Sequence, residues 1–346
     1  MRLPALLLTL LPLSGWAQRV ELALREAEQR VVVTVDGQPF TSYYFPGPAV
    51  LKKPVLYPII TAGGQPITRG WPLAPRPHER IDHPHQVGLW FNFGDVNGLD
   101  FWNNSTDILP SHKGPFGTIV HTGITQQASG RGQATLTVTA DWLDAQQRPL
   151  LRQTTTYVFR ARGRQRAIDH HTTLTALAQP VTFRDNKEGL LALRVARQLE
   201  HPSPKKAVLL DAAAQPLRPA VVDSAGVSGR YRSSEGRTGE AVWGTRARWV
   251  TLSGTLPGAE AVSVSLLDHP TNLGYPSYWC ARGYGLFAAN PLGPAALTQG
   301  RQPAMHYTLA AGESISFRHR LLLAPGALTT PQLDQQAQRF ARGRGL

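Results

Sequence analysis

Between Arg80 and Trp102 the chain reads Arg-Ile-Asp-His-Pro-His-Gln-Val-Gly-Leu-Trp-Phe-Asn-Phe-Gly-Asp-Val-Asn-Gly-Leu-Asp-Phe-Trp, and no other stretch gathers so many side chains able to do chemistry. An Arg, an Asp, two His at i and i+2 and two Trp exceed what the packing of an ordinary strand requires. Pro84 holds its own φ and pushes the preceding His83 towards an extended conformation. Alternate side chains of an extended segment share a face, so His83 and His85 are expected to project together, roughly 6 to 7 Å apart at the backbone. Two imidazoles on one face can hold a metal, relay a proton or grip a sugar hydroxyl. A metal needs a third and fourth ligand, and none sits at a diagnostic spacing; no metal or other cofactor is assigned, and His83/His85 stand as a half-site at most.

Other segments carry similar chemistry. Arg184-Asp185-Asn186-Lys187-Glu188-Gly189 sets charged residues between two apolar strands, where a solvated turn is the plain alternative. Asp268-His269-Pro270 follows a strand whose apolar face is Val262, Val264 and Leu266, so Asp268 should emerge at the rim of the core. The triplet Asp-His-Pro thus occurs at residues 82 and 268, which argues against two accidental turns. Asp95-Val96-Asn97-Gly98-Leu99-Asp100 lacks the oxygen spacing and terminal Glu of a calcium loop, and turn chemistry accounts for it: Asp and Asn cap turns, and Gly98 permits positive φ. Trp90, Trp102 and Trp279 read singly as core. Set within polar motifs, they also suit a sugar site, where ring faces stack on pyranose C–H groups and charged side chains bridge hydroxyls. Arg80 would anchor such a ligand with its planar fork of donors.

The elements that must position these groups are strands. Residues 19–25 and 29–35 alternate apolar and polar side chains around the turn dipeptide Asp36-Gly37, and 133–143 place Ala134, Leu136, Val138, Ala140 and Trp142 on one face. Residues 152–160, 166–177, 190–199, 242–252, 261–267, 278–288, 304–310 and 314–323 read the same way, with Gly, Pro or Asn between most of them. The apolar run 51–60 is broken by Pro54 and Pro58, which suits an edge or irregular strand. Thr330-Pro331 opens a helix on which Leu333, Ala337, Phe340 and Ala341 recur at helical spacing. No fixed-period repeat, low-complexity tract or linker interrupts the series, and 201–220 read as loops. The expected fold is all-β, a large antiparallel β-sandwich with a short C-terminal helix, forming a single domain from 18 to 346.

The first residues carry a different signal. Met1-Arg2, an apolar run at 3–13 and the small residues around Ala17 form a secretory pattern, so 1–17 are expected to be a signal peptide and the protein periplasmic or secreted. The run is short of the roughly 20 residues a spanning helix needs, and no other segment qualifies. Among 346 residues with a net charge of +13 the arginines are scattered, which argues for a solvated surface and against nucleic acid as partner. The one cysteine, Cys280, excludes an internal disulfide and is expected to be buried or to line a site.

The motifs taken together resemble a bacterial family labelled PmoA-like, or methane oxygenase PmoA. The resemblance runs through most of the mature chain: Asp82-His83-Pro84-His85 with Gly88-Leu89-Trp90, Gly94-Asp95-Val96-Asn97-Gly98, Asp100-Phe101-Trp102, Lys187-Glu188-Gly189, Asp268-His269-Pro270, and Arg282-Gly283-Tyr284-Gly285 leading to Ala288-Ala289-Asn290-Pro291. The family usually carries a histidine where this chain has Gln86, and often one where it has Cys280. A membrane oxygenase subunit would need several spanning helices, which are missing after the signal. The resemblance implies a β-sandwich similar to the galactose mutarotase supersandwich and a place in bacterial sugar catabolism.

These readings lead to an exported carbohydrate-active enzyme working on a sugar or glycoside as hydrolase, lyase or epimerase, each of which needs one group to give a proton and another to take one. A non-catalytic glycan-binding protein and a metal-dependent oxygenase are the rivals. The acid–base candidates are His83, His85, Lys187, Glu188, Asp268 and His269. The substrate-binding candidates are Arg80, Asp82, Trp90, Asn97, Asp100, Trp102, Arg184, Trp279 and Arg282. The segments at 83–85, 187–188 and 268–269 are expected to converge on one concave face, because mixed polar groups are costly beside apolar strands unless they satisfy one another or a ligand.

Overall fold

The computed structural model describes residues 17–108 and 114–346, so the expected signal segment at 1–17 lies, apart from Ala17, outside the described residues. Two large antiparallel sheets pack face to face, as the alternating patterns require. In the nine-stranded sheet the order runs Tyr278–Ala281, Leu286–Asn290, Gly189–Arg194, Leu89–Phe93, Val55–Leu56, Gln38–Tyr44, Arg30–Val35, Arg19–Arg25 and Gly130–Arg131. The eight-stranded sheet runs Arg230–Ser233, Trp249–Leu256, Glu260–Asp268, Ser314–Pro325, Gln165–Ala176, Pro149–Arg162, Gln133–Leu143 and Thr118–Ala128. A minor pair, Val181–Arg184 with His306–Leu309, stands apart.

The core between the sheets is continuous, drawing side chains from Val20 to Leu323 and including Ala134, Leu136, Val138, Ala140 and Trp142 from one face of a single strand. Among the described residues no helix is long and apolar enough to cross a membrane. The C-terminal helix, Thr330–Ala341, lies against the outer face of the eight-stranded sheet, where Leu333 and Phe340 pack on Ala167, Trp249, Leu267 and Leu322. Burying two such side chains contributes about 1.5–3 kcal/mol each. Its N-cap is Thr329, one residue before the expected Thr330, with Gln332 completing a capping box.

Several boundaries moved for steric reasons. The run at 51–60 contributes only Val55–Leu56, inside the sheet rather than at its edge, because the prolines on either side interrupt the ladder. The segment at 278–288 is a hairpin of two strands, turned at 282–285.

The site is positioned by strands whose residues are buried on both faces. Gly189–Arg194 and Leu89–Phe93 are buried throughout. Alternation sends Leu89, Phe91, Leu191, Leu193, Trp279, Phe287 and Ala289 into the sandwich, and Trp90, Ala192, Cys280, Leu286 and Ala288 to the opposite face. That outer face holds a second apolar layer, to which Val55 contributes from its short strand and Leu51, Val87 and Trp102 from the loops.

Candidate functional site

The site begins with a buried arginine. From the loop before the Asp-His-Pro-His motif, Arg69 donates to the carbonyls of Asp82 (2.7 Å), His83 (3.0 Å) and Gln86 (2.9 Å) and to the Asp82 carboxylate (2.8 Å). Arg194, at the end of a sheet strand, adds bonds to the same Asp82 oxygen (2.6 Å) and to the Gln86 side chain (2.7 Å). These two guanidiniums hold the Asp82 carboxyl well below the usual carboxylate range against the opposing effect of burial, with His83 also lowering it. Residues 82–86 therefore form a clamped turn, and the expectation of an extended His83 fails. Its φ is +48°, and its carbonyl accepts from the Gln86 N–H at 3.0 Å. The local preference before Pro84 yields because six donor contacts from two buried arginines outweigh it. The imidazoles still meet, with His83 and His85 ring centres 5.7 Å apart and nearly perpendicular.

Buried Lys53 secures the turn from below by donating to the His85 carbonyl at 2.7 Å. Burial pushes its pKa down to about 7, with Asp100 pulling the other way. The second polar loop is equally pinned. Asp185 accepts from the N–H groups of Ala295, Ala296 and Met305, while the Glu188 N–H reaches the Asn186 side chain and its carbonyl accepts from Gly94. A Cβ on Gly94 would lie 2.9 Å from both Asn186 and the Glu188 Cβ, so only glycine permits this approach.

Between these loops lies an inner cavity of about 260 Å³. His83, His85, Lys187, Glu188, Trp102, Asn103, Trp243, Cys280, Arg282 and Tyr284 line it. Tyr284 stacks on His83 with ring centres 4.8 Å apart and planes 10° from parallel, and the Arg194 guanidinium also lies 4.8 Å from its ring centre. An oxygen of Asp82 sits 3.3 Å from His83 Nδ1. Burial raises the Glu188 carboxyl pKa, while the Lys187 ammonium, 3.5 Å away, lowers it in part. Burial likewise pushes the Cys280 thiol up, so it is a poor nucleophile, and it lines the site as expected.

A second lobe of about 380 Å³ continues from the first, sharing Trp243, Arg282 and Tyr284. Arg80 and Asp82 reach it, as do Lys205, Lys206 and Glu240. Arg80 is not a free anchor: its Nε is paired with buried Glu200 at 2.6 Å, and Glu200 is held also by Arg197 at 3.0 Å.

The expected convergence thus holds for 83–85 and 187–188 and fails for 268–269. Asp268 is buried at the end of its strand, accepting from His269 N–H, Asn272 Nδ2 and Ser277 N–H; His269 packs edge-on against Phe340 of the C-terminal helix. Ser277 leads into the strand that carries Cys280, about 10 Å of chain away, so Asp268 braces that strand and does not reach the cavity. Five other candidates also lie outside the cavity. Trp90 lies behind Trp102, with ring centres 5.3 Å apart, and Trp279 is in the sandwich core. Asn97 bridges to Pro180 and Thr182 in a turn, and Arg184 is exposed beside that turn. Asp100 accepts from the backbone of Trp102 and Asn103 and from the Asn103 side chain, so it positions two cavity residues without entering. Sequence reasoning missed Arg69, Arg194, Lys53 and Trp243, whose only signal was a charged or aromatic residue in an apolar context. Among the described residues no group of three His, Cys, Asp or Glu side chains is arranged to hold a metal.

Comparison with solved structures finds similarity to the galactosidase domain of an alpha-galactosidase–sucrose kinase, at 9% identity and TM-score 0.40, covering 88% of this chain and 42% of that one. An alpha-galactosidase from Lactobacillus brevis is similar at 12% identity and TM-score 0.35, over 92% of this chain and 40% of that one. This chain spans about two fifths of the length of those galactosidases. A GalM/aldose epimerase homologue from C. elegans is similar at 8% identity and TM-score 0.31, over 90% of this chain and 100% of that one. No curated protein matches the sequence. Residues 30–338 match the model of DUF6807, described as a family of unknown function, and the chain belongs to that family.

Proposed function

We propose that the chain is an exported carbohydrate-active enzyme that moves protons at a sugar carbon, as epimerases and lyases do, with His83 and Glu188 as the proton-transferring pair. The observation that carries this reading is the inner cavity, where a carboxyl and an imidazole of different character face one small volume walled by Trp102, Trp243 and Tyr284. A carboxyl whose pKa is raised by burial holds a proton more readily, as a general acid must, while His83, its ring held by stacking on Tyr284, serves as the base. One group removes a proton and the other returns one. Lys187 and Arg282 meet the negative charge that develops on a carbonyl or ring oxygen. Glycoside hydrolysis in its usual form needs two available carboxylates flanking the bond. Of the other carboxylates along the groove, Asp82 is committed to Arg69 and Arg194 and Glu240 lines only the outer lobe, which favours carbon-centred proton transfer over hydrolysis. The PmoA-like motifs fit this reading, since Asp82-His83-Pro84-His85 and Lys187-Glu188-Gly189 supply the cavity's polar half.

The test is deuterium uptake from D₂O into a panel of aldoses, ketoses and glycosides, followed by NMR. Wild-type protein should catalyse exchange, and Glu188→Gln and His83→Ala should each slow it by about 10²–10⁴-fold while binding persists. Saccharide binding without exchange in the wild type would replace the enzyme with a glycan-binding module.

A further inference from the structure

We infer that the outer lobe selects a saccharide bearing a negatively charged substituent, held between Lys205, Lys206 and Arg282; this rests on the carbohydrate reading of the inner cavity. The two lobes share Trp243, Arg282 and Tyr284 and form one groove, so a ligand with its reacting ring beside His83 and Glu188 extends into the outer lobe. The charge there is unbalanced. Arg80 is neutralised by Glu200, and Asp82 is spent on Arg69 and Arg194. Among the described residues Lys205, Lys206 and Arg282 have no carboxylate within ion-pair distance, while Glu240 alone stands as an uncommitted acid on the same wall. Three cations against one carboxylate attract an anion and repel a cationic ligand.

Arg282 is also held in orientation. Its guanidinium carbon lies 3.3 Å from the centre of the Trp243 ring, which fixes the plane of the fork at the waist between lobes. A fixed guanidinium suits the paired oxygens of a carboxylate, sulfate or phosphate. Arg69, Arg80, Arg194 and Arg197 are buried in the wall behind, where Asp82 and Glu200 pair with them. Lys205 and Lys206 are exposed and carry their unpaired charge at the outer rim.

The experiment is calorimetric titration of the full chain with matched pairs: methyl glucuronide against methyl glucoside, methyl galacturonide against methyl galactoside, and glucose 6-sulfate and 6-phosphate against glucose. At low salt at least one charged member should bind about tenfold or more tighter than its neutral twin, the scale of one charge-assisted hydrogen bond. That preference should shrink as salt is raised. Which member wins identifies the anion as carboxylate, sulfate or phosphate. The double variant Lys205→Gln/Lys206→Gln should lose most of the preference, with an unchanged melting temperature showing that it is folded. Neutral twins binding as tightly as charged ones, or a double variant that keeps the preference, overturns the anion inference while the carbohydrate reading stands. If no saccharide in the panel binds, charged or neutral, both fall.

Discussion

The tripeptide Asp-His-Pro occurs twice, and its two copies do different things. At residue 82 the aspartate faces two arginines and the histidine stacks on Tyr284 at the mouth of a cavity. At residue 268 the aspartate is ringed by neutral donors, the histidine bonds to Thr271, and the ring meets Phe340 edge-on with centres 5.1 Å apart. Both copies tie down a turn through the carboxylate, which is the local role that the residue types encode. What separates them is the opposite wall. One turn faces polar loops that leave a space, and the other is roofed by the C-terminal helix. A shared motif therefore reports shared turn chemistry, and function follows from what the fold leaves open beside it.

The sharpest way to break the comparison is through activity. His83→Ala should lower turnover by about 10²–10⁴-fold with little change in melting temperature, whereas His269→Ala should leave turnover within about twofold. Equal losses in both would return the second motif to the site. Removing the aspartates comes next. Asp82→Ala strands buried Arg69 and Arg194 and should cost about 3 kcal/mol or more by denaturant unfolding, along with activity. Asp268→Ala leaves Asn272 and the Ser277 N–H without their acceptor and should cost about 1–3 kcal/mol, with activity falling only as far as the folded population does.

Acid should separate the regions as well. Burial, opposed by Asp268, pushes the His319 pKa down to about 4, well under the ordinary 6.5. The unfolded chain then takes up a proton that the folded chain refuses, so stability is full above about 6.5 and falls as pH drops towards 4. At most about 3 kcal/mol rides on this residue. Buried His170, lowered by burial and by His319, acts in the same direction. His319→Gln should flatten part of the slope of unfolding free energy against pH, and an unchanged slope would remove His319 from the acid response. The smallest expected effect is His269→Ala on stability, about 1 kcal/mol through lost packing on Phe340.

The sequence by itself determined the class of fold and half of the site. Period-two alternation, as at 133–143, carries its own evidence because a half-buried strand must alternate, and helical spacing at Leu333, Ala337 and Phe340 marked the terminal helix in the same way. Polar side chains clustered in sequence at 82–85 and 187–188 were legible as chemistry for a similar reason: their local density exceeds what packing needs. The misreadings share one cause. Whether Trp279 faces a ligand or the sandwich core depends on which face of its strand is outermost, and neighbouring Cys280 takes the other face. Arg69 and Arg194 lie 125 positions apart in sequence, and nothing local to either says that both will grip Asp82. Only the tertiary structure decided that the first Asp-His-Pro turn borders a cavity and the second a helix, because the space beside a turn belongs to residues distant in the chain.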